Sequence, residues 1–127
     1  MKIIYIVLTA ALFSGCIFAS NQGIAGNWKG ESICMIKDSP CHDEHVIYTI
    51  TEPDKAGKLQ IQADKVVNGQ RENMGTLDCQ FDAKAATITC PMKNGEWSFD
   101  VKGDTMTGTL TLPDGRLFRR INVKKEK

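Results

Sequence analysis

The segment ITCPMKNGEWSFDVKGDTMTGTL, Ile88–Leu110, carries the clearest record of the fold. Apolar and thiol residues alternate with polar ones, and two turn signals, Asn94-Gly95 and Gly103-Asp104, interrupt the alternation. A period of two sends successive side chains to opposite faces of an extended strand. Asn-Gly tolerates positive φ at both central positions of a tight hairpin. A turn centred there predicts Met92 opposite Trp97, Cys90 opposite Phe99 and Ile88 opposite Val101, all on one face. Glu96, Ser98 and Asp100 then share the other face with Thr87, Thr89 and Lys93. The Gly103-Asp104 turn predicts Val101 opposite Met106, Phe99 opposite Gly108 and Trp97 opposite Leu110. Both hairpins use the same inward residues. Thr105, Thr107, Thr109 and Thr111 fall outside, as on a solvated sheet face.

Working backward, the chain reverses around residues 83–86. Pairing Phe81 with Ile88 sets Cys79 opposite Cys90. Directly opposed residues in a non-hydrogen-bonded antiparallel pair have Cα atoms about 4.5 Å apart, close enough for a disulfide. That leaves Cys34 and Cys41 as the second pair. Working forward, a turn at Asp114-Gly115 pairs Leu112 with Leu117 and directs Leu117, Arg119, Ile121 and Val123 inward. A turn one residue longer would instead direct Phe118 and Arg120 inward. The first register is preferred because its inward set is more apolar.

Further upstream, Trp28–Cys34 and Glu44–Thr51 read as strands, the second with Val46, Tyr48 and Ile50 on one face. Leu59–Val67 is a third, with Leu59, Ile61 and Ala63 inward, and Asn68-Gly69 turns it into Glu72–Phe81. About eight short strands joined in sequence must either expose sheet edges or close, and closure removes the edges. The expected fold is all-β, an antiparallel up-and-down (meander) barrel of about eight strands with two disulfides. The inward set Trp28, Phe81, Met92, Trp97, Phe99, Met106, Leu110 and Leu117 is large for such a barrel and favours a packed core over a cavity.

Met1-Lys2, the apolar run Ile3–Phe13 and the small residues after it have the grammar of a secretory signal over residues 1–19. Cleavage after Ala19 leaves residues 20–127 as one domain. The run Phe13-Ser14-Gly15-Cys16 also resembles a bacterial lipobox, which would make Cys16 a lipid anchor. Four cysteines after an export signal fit two disulfides and an exported, periplasmic or extracellular protein. Removing Lys2 takes the formal charge from +1 to 0. Such balance gives no reason to propose nucleic acid or an anionic membrane as partner, and a monomer is expected.

Gly26-Asn27-Trp28 opens the first strand and resembles the G-x-W signature of the lipocalin and wider calycin superfamily. The resemblance implies a lipocalin-like barrel whose Trp closes one end, with a basic residue from the last strand packed across it. Arg119 is the matching position, with Arg120 second. It also implies the alternative function, a carrier of a small apolar ligand. In length and disulfides the chain is similar to small exported bacterial barrels that inhibit host lysozyme or secreted proteases.

The run Cys41-His42-Asp43-Glu44-His45 has metal-capable side chains in every position. On an extended chain His42 and His45 diverge, as do Asp43 and Glu44, and a bonded Cys41 has no thiolate to offer. No metal or cofactor is therefore expected; His42, Asp43, Glu44 and His45 would be the ligands if a loop conformation gathered them. There is no G-x-S-x-G elbow and no free cysteine for a Cys–His pair, so the reading is non-enzymatic. Binding remains. The loop of residues 35–43, cinched by Cys34–Cys41, is the most constrained candidate, since constraint lowers the entropy lost on binding. Lys37, Asp38, His42, Asp43 and Glu44 are its candidate contact residues, and the polar stretch Val66–Asn73 is the second loop. The expected partner is a protein.

Overall fold

In a computed structural model that describes residues 23–127, the chain reverses direction seven times and closes on itself. The expected signal, its cleavage site and Cys16 lie outside the described residues. The strands are β1 (Gly26–Cys34), β2 (Glu44–Ile50), β3 (Lys58–Val67), β4 (Gln70–Asp82), β5 (Thr87–Met92), β6 (Gly95–Lys102), β7 (Thr105–Thr111) and β8 (Leu117–Lys125). Each pairs antiparallel with the next, and β8 returns to β1, giving a closed eight-stranded meander barrel. The described residues contain no helix.

Most of the expected registers are present. Val101 faces Met106, Phe99 faces Gly108 and Trp97 faces Leu110. Phe81 faces Ile88, and the Cys79–Cys90 disulfide spans a Cα separation of 4.2 Å. Cys34 and Cys41 form the second disulfide, 5.9 Å between Cα atoms. Two disulfides place the folded chain in a non-cytoplasmic environment. Asn68 and Gly69, both at positive φ, make the two-residue turn between Val67 and Gln70.

The hairpin at Asn94-Gly95 differs from the expected one. The turn is Lys93-Asn94, and Gly95 already pairs with Met92. Cys90 therefore faces Trp97 and Ile88 faces Phe99, a slide of two residues that keeps every side chain on its expected face. Gly95 has φ 150°, and a Cβ there would stand 2.5 Å from the Thr111 carbonyl oxygen. The glycine accommodates a close strand approach and is not a central turn residue. The last hairpin combines both turn lengths. Leu112 N–H donates to Arg116 O around a three-residue turn, and an irregularity between Leu110 and Thr111 restores Leu110 opposite Arg119. Arg119, Ile121 and Val123 are buried, as the shorter turn predicts.

Trp28, Tyr48, Ile61, Ile88, Phe99 and Met106 are almost wholly buried and fill the interior as one cluster. Tyr48 meets Phe99 edge to face, with ring centroids 5.9 Å apart. Met92, expected inside, is 46% exposed. It is the last residue of β5, so it sits at the barrel's mouth.

At one end of the barrel Trp28 donates from Nε1 to Ile24 O at 2.9 Å. The basic side chain over its ring is Lys125, with Nζ 5.9 Å from the centroid. Arg119 does not pack there. In the β1–β8 register Trp28 faces Lys125, whereas Arg119 faces Cys34, six residues along β1 toward the opposite end.

Candidate functional site

The end opposite Trp28 gathers the loop of residues 35–43, the turns Asn68-Gly69 and Lys93-Asn94, and the loop of residues 112–116. Its rim is uneven. Extending the Phe81–Ile88 register puts Met92, the end of β5, level with Leu77. Residues 70–76 of β4 therefore rise past the tip of the β5–β6 hairpin. The notch so formed opens into a pocket of about 250 Å3. Met74, Leu77, Met92 and Trp97 wall it, and Ser32, Glu44, Tyr48 and Arg119 make its polar floor. Larger depressions, such as one of about 650 Å3 along Asp54, Lys58, Gln60 and Asp78 and one of about 460 Å3 at this end between Lys93 and the loop of residues 112–116, hold no buried charge.

Arg119 organises the floor. Its alternation puts it inward on β8, and its side chain is only 11% exposed. Nη1 donates to His42 O at 3.0 Å, to Ser32 Oγ at 3.2 Å and, more distantly, to Ser32 O at 3.4 Å. Nη2 reaches Glu44 Oε1 at 3.5 Å. One guanidinium thus ties β8 to β1, to β2 and to the end of the disulfide loop. A buried guanidinium requires partners of this kind, because an unpaired one would be strongly destabilising. Burial, reinforced by the Glu44 charge, pushes the Tyr48 phenol above its ordinary range, against the opposing effect of Arg119 and a hydrogen bond with Ser32. Tyr48 is therefore a neutral hydroxyl in the floor.

The projecting β3–β4 hairpin has its own staple. Asp64, on the outer face, is 4% exposed. Arg71 Nη2 donates to its carboxylate at 2.8 Å, Arg71 Nε at 3.1 Å and Asn73 Nδ2 at 2.9 Å. Desolvation raises the carboxyl's pKa, but the bonds from Asn73, Arg71 and Gln62 and the Arg71 charge outweigh it, leaving Asp64 below its usual value. The staple sits where the register shifts beside Met74, which has no opposite residue on β3.

The candidate residues of the disulfide loop separate. Only Glu44 enters the pocket. His42 is exposed and contributes its carbonyl to Arg119. Asp43 Oδ1 accepts from Cys34 N–H at 2.9 Å, which pins the loop's two arms together. Lys37 and Asp38 are exposed at the loop tip. His45 faces outward, Nδ1 4.0 Å from Glu31 Oε1. Among the described residues no three His, Cys, Asp or Glu side chains are gathered at metal-binding distance.

The sequence directs Arg119, Tyr48, Met92 and Trp97 inward and offers Glu44 as a contact residue, but it does not bring them together at one mouth and does not single out Met74 or Leu77. Tyr48 was legible only as an inward position, and nothing local singles out Ser32. The available signal was Arg119 itself: an arginine within an inward apolar set needs an inward polar partner. The exposed large apolar residues form a second feature. Among the described residues these are Met35, Val67, Met74 and Met92. All four belong to this one end of the barrel: Met35 begins the disulfide loop, Val67 ends β3, Met92 ends β5, and Met74 stands on the overhang of β4.

No protein-family model matches the chain, and no curated protein matches it.

Proposed function

We propose that this is an exported, non-enzymatic binding protein that engages a protein partner with the rim around the mouth pocket. The observation that carries the reading is the gathering of Met35, Val67, Met74 and Met92 at one end of the barrel. Scattered exposed apolar residues need no explanation, whereas apolar residues collected around one opening mark an interaction site. Methionine suits that role because its unbranched, polarisable side chain adapts to the surface it meets. Cys34–Cys41, the Asp43 bond and the Arg119 clamp hold the rim loop in one shape before binding, which reduces the entropy lost when the partner docks. The disulfides support a periplasmic or extracellular setting.

The alternative, a carrier of a small apolar ligand, draws less support. The pocket of about 250 Å3 falls below the usual range for small-molecule sites, and the interior beneath it is filled by Tyr48, Phe99 and Met106.

The test is affinity capture from cell-envelope extract and from host secretions with three baits. These are the wild-type chain, a rim variant (Met35→Gln, Met74→Gln, Met92→Gln) and a variant of the opposite end (Lys84→Ala, Lys102→Ala). A partner held by the first and third and lost by the second is the expected result. A partner retained by a folded rim variant refutes the reading.

A further inference from the structure

We infer that the mouth pocket takes one side chain of the partner, with an apolar ring body and a neutral hydroxyl tip: a tyrosine. The inference rests on the rim reading above and specifies what the partner must present.

Size comes first. A space of about 250 Å3 is small for a free ligand and suits one large side chain. The walls set the body. Met74, Leu77, Met92 and the Trp97 ring surround the entry, and Trp97 Nε1 is already engaged with Met92 Sδ at 2.9 Å. These surfaces offer dispersion contacts and a ring face, which an aromatic body fills well.

The floor sets the tip. Arg119 Nη2 is turned toward Glu44 at a long 3.5 Å, while Nη1 is committed to Ser32 and His42. The accessible pair is therefore one cationic donor and one anionic acceptor, side by side and only partly exposed. A ligand carboxylate reaching Arg119 would meet Glu44 as a like charge. An ammonium reaching Glu44 would meet Arg119. A wholly apolar tip would cover both charges and return no hydrogen bond. A hydroxyl accepts from Nη2 and donates to the carboxylate, so it satisfies both. Tyrosine combines such a tip with a ring of the right girth and loses few rotamers on binding.

The experiment uses the exported chain and its two tryptophans as reporters. Trp97 lines the pocket, and Trp28 is buried at the far end with its indole N–H bonded to Ile24 O. In a 1H–15N titration, N-acetyl-tyrosinamide should shift the Trp97 indole signal and leave that of Trp28 in place. N-acetyl-phenylalaninamide should require roughly tenfold more for the same shift, because it leaves the floor unpaired. 3-Phenylpropanoate should be weaker still. Glu44→Gln removes the like charge, so it should improve 3-phenylpropanoate by roughly tenfold and narrow its disadvantage against the tyrosine probe. Should Glu44→Gln fold poorly, Met74→Trp fills the entry from an exposed position and should abolish the tyrosinamide response.

Equal response to the tyrosine and phenylalanine probes overturns the inference. So does 3-phenylpropanoate binding the wild type as well as tyrosinamide, or a Trp97 signal unmoved by tyrosinamide at tens of millimolar, roughly the weakest affinity worth assigning to a site. A partner that depends on the rim methionines but is not displaced by tyrosinamide also overturns it, while leaving the rim reading in place.

Discussion

Replacing Arg119 by Met tests whether the floor is a clamp. Met keeps most of the apolar stem and deletes the guanidinium. The bonds from Arg119 to His42 O (3.0 Å) and Ser32 Oγ (3.2 Å) are within the ordinary hydrogen-bond range, while its approaches to Ser32 O and Glu44 stretch to 3.4 and 3.5 Å. Hydrogen bonds to a charged group each contribute about 1.5–3 kcal/mol net, so the two good ones give about 3–6 kcal/mol. Two effects reduce this. Met avoids the cost of desolvating a charge, and water can replace the guanidinium at His42 O, because His42 is exposed. About 2 kcal/mol of destabilisation remains, which for a domain of this length lowers Tm by about 10 °C. Urea unfolding followed by circular dichroism measures the first quantity, and a thermal melt measures the second. Amide exchange should quicken for residues 41–44 and stay unchanged around Trp28. A variant as stable as the wild type, with an equally protected loop, would refute the clamp: the burial cost of Arg119 would then equal what its bonds return.

Gly30 faces Val46 and Val123, and a Cβ there would overlap the Asn122 carbonyl oxygen and come within 2.8 Å of Val123 Cα. Gly30→Ala should therefore wedge the seam that closes the barrel and cost about 3 kcal/mol, read from the urea midpoint; a loss under about 0.5 kcal/mol would show that the seam yields freely. Asp64 titrates below its unfolded value, so its contribution is fully present above about pH 4 and is lost as pH falls through the folded pKa. Asp64→Asn should be less stable than wild type at pH 7, with the gap narrowing toward about pH 2; a gap independent of pH between these limits contradicts the staple. Tyr48 titrates above its unfolded value, so its contribution is complete below about pH 10 and fades above it. The wild type should lose stability in that alkaline range and Tyr48→Phe should lose less, as followed by urea midpoints at rising pH.

Much of the fold is legible because it depends on periodicity. Alternation assigns Val46, Tyr48, Ile50, Ile61 and Ile88 to the interior, and turn chemistry marks the reversals at Asn68-Gly69 and Gly103-Asp104. The Cys79–Cys90 bond follows from register alone. The slip at Asn94-Gly95 has a physical cause. A favourable turn dipeptide competes with the close approach of Thr111, which lies at the end of β7 and is invisible to a local reading of the turn. The site was less legible. The run from Cys41 to His45 looks like chemistry because reactive types are adjacent in sequence, yet adjacency on an extended chain separates them. Asp43 holds a backbone N–H, His45 faces out toward Glu31, and only Glu44 reaches the pocket.

Period, turn type and opposed register are local properties of the chain. They were enough to establish the all-β class, the strand count, most of the inward-facing residues and both disulfides. The end of the barrel that Arg119 occupies is not a local property, because it depends on the β1–β8 seam joining the first and last strands. The seam sets Lys125 over Trp28 and Arg119 beside Ser32, Glu44 and the disulfide loop. It was likewise the unequal heights of β4 and β5 that left Met74 and Met92 exposed around one mouth. Inward and outward are properties of a strand, whereas top and bottom belong to the closed barrel.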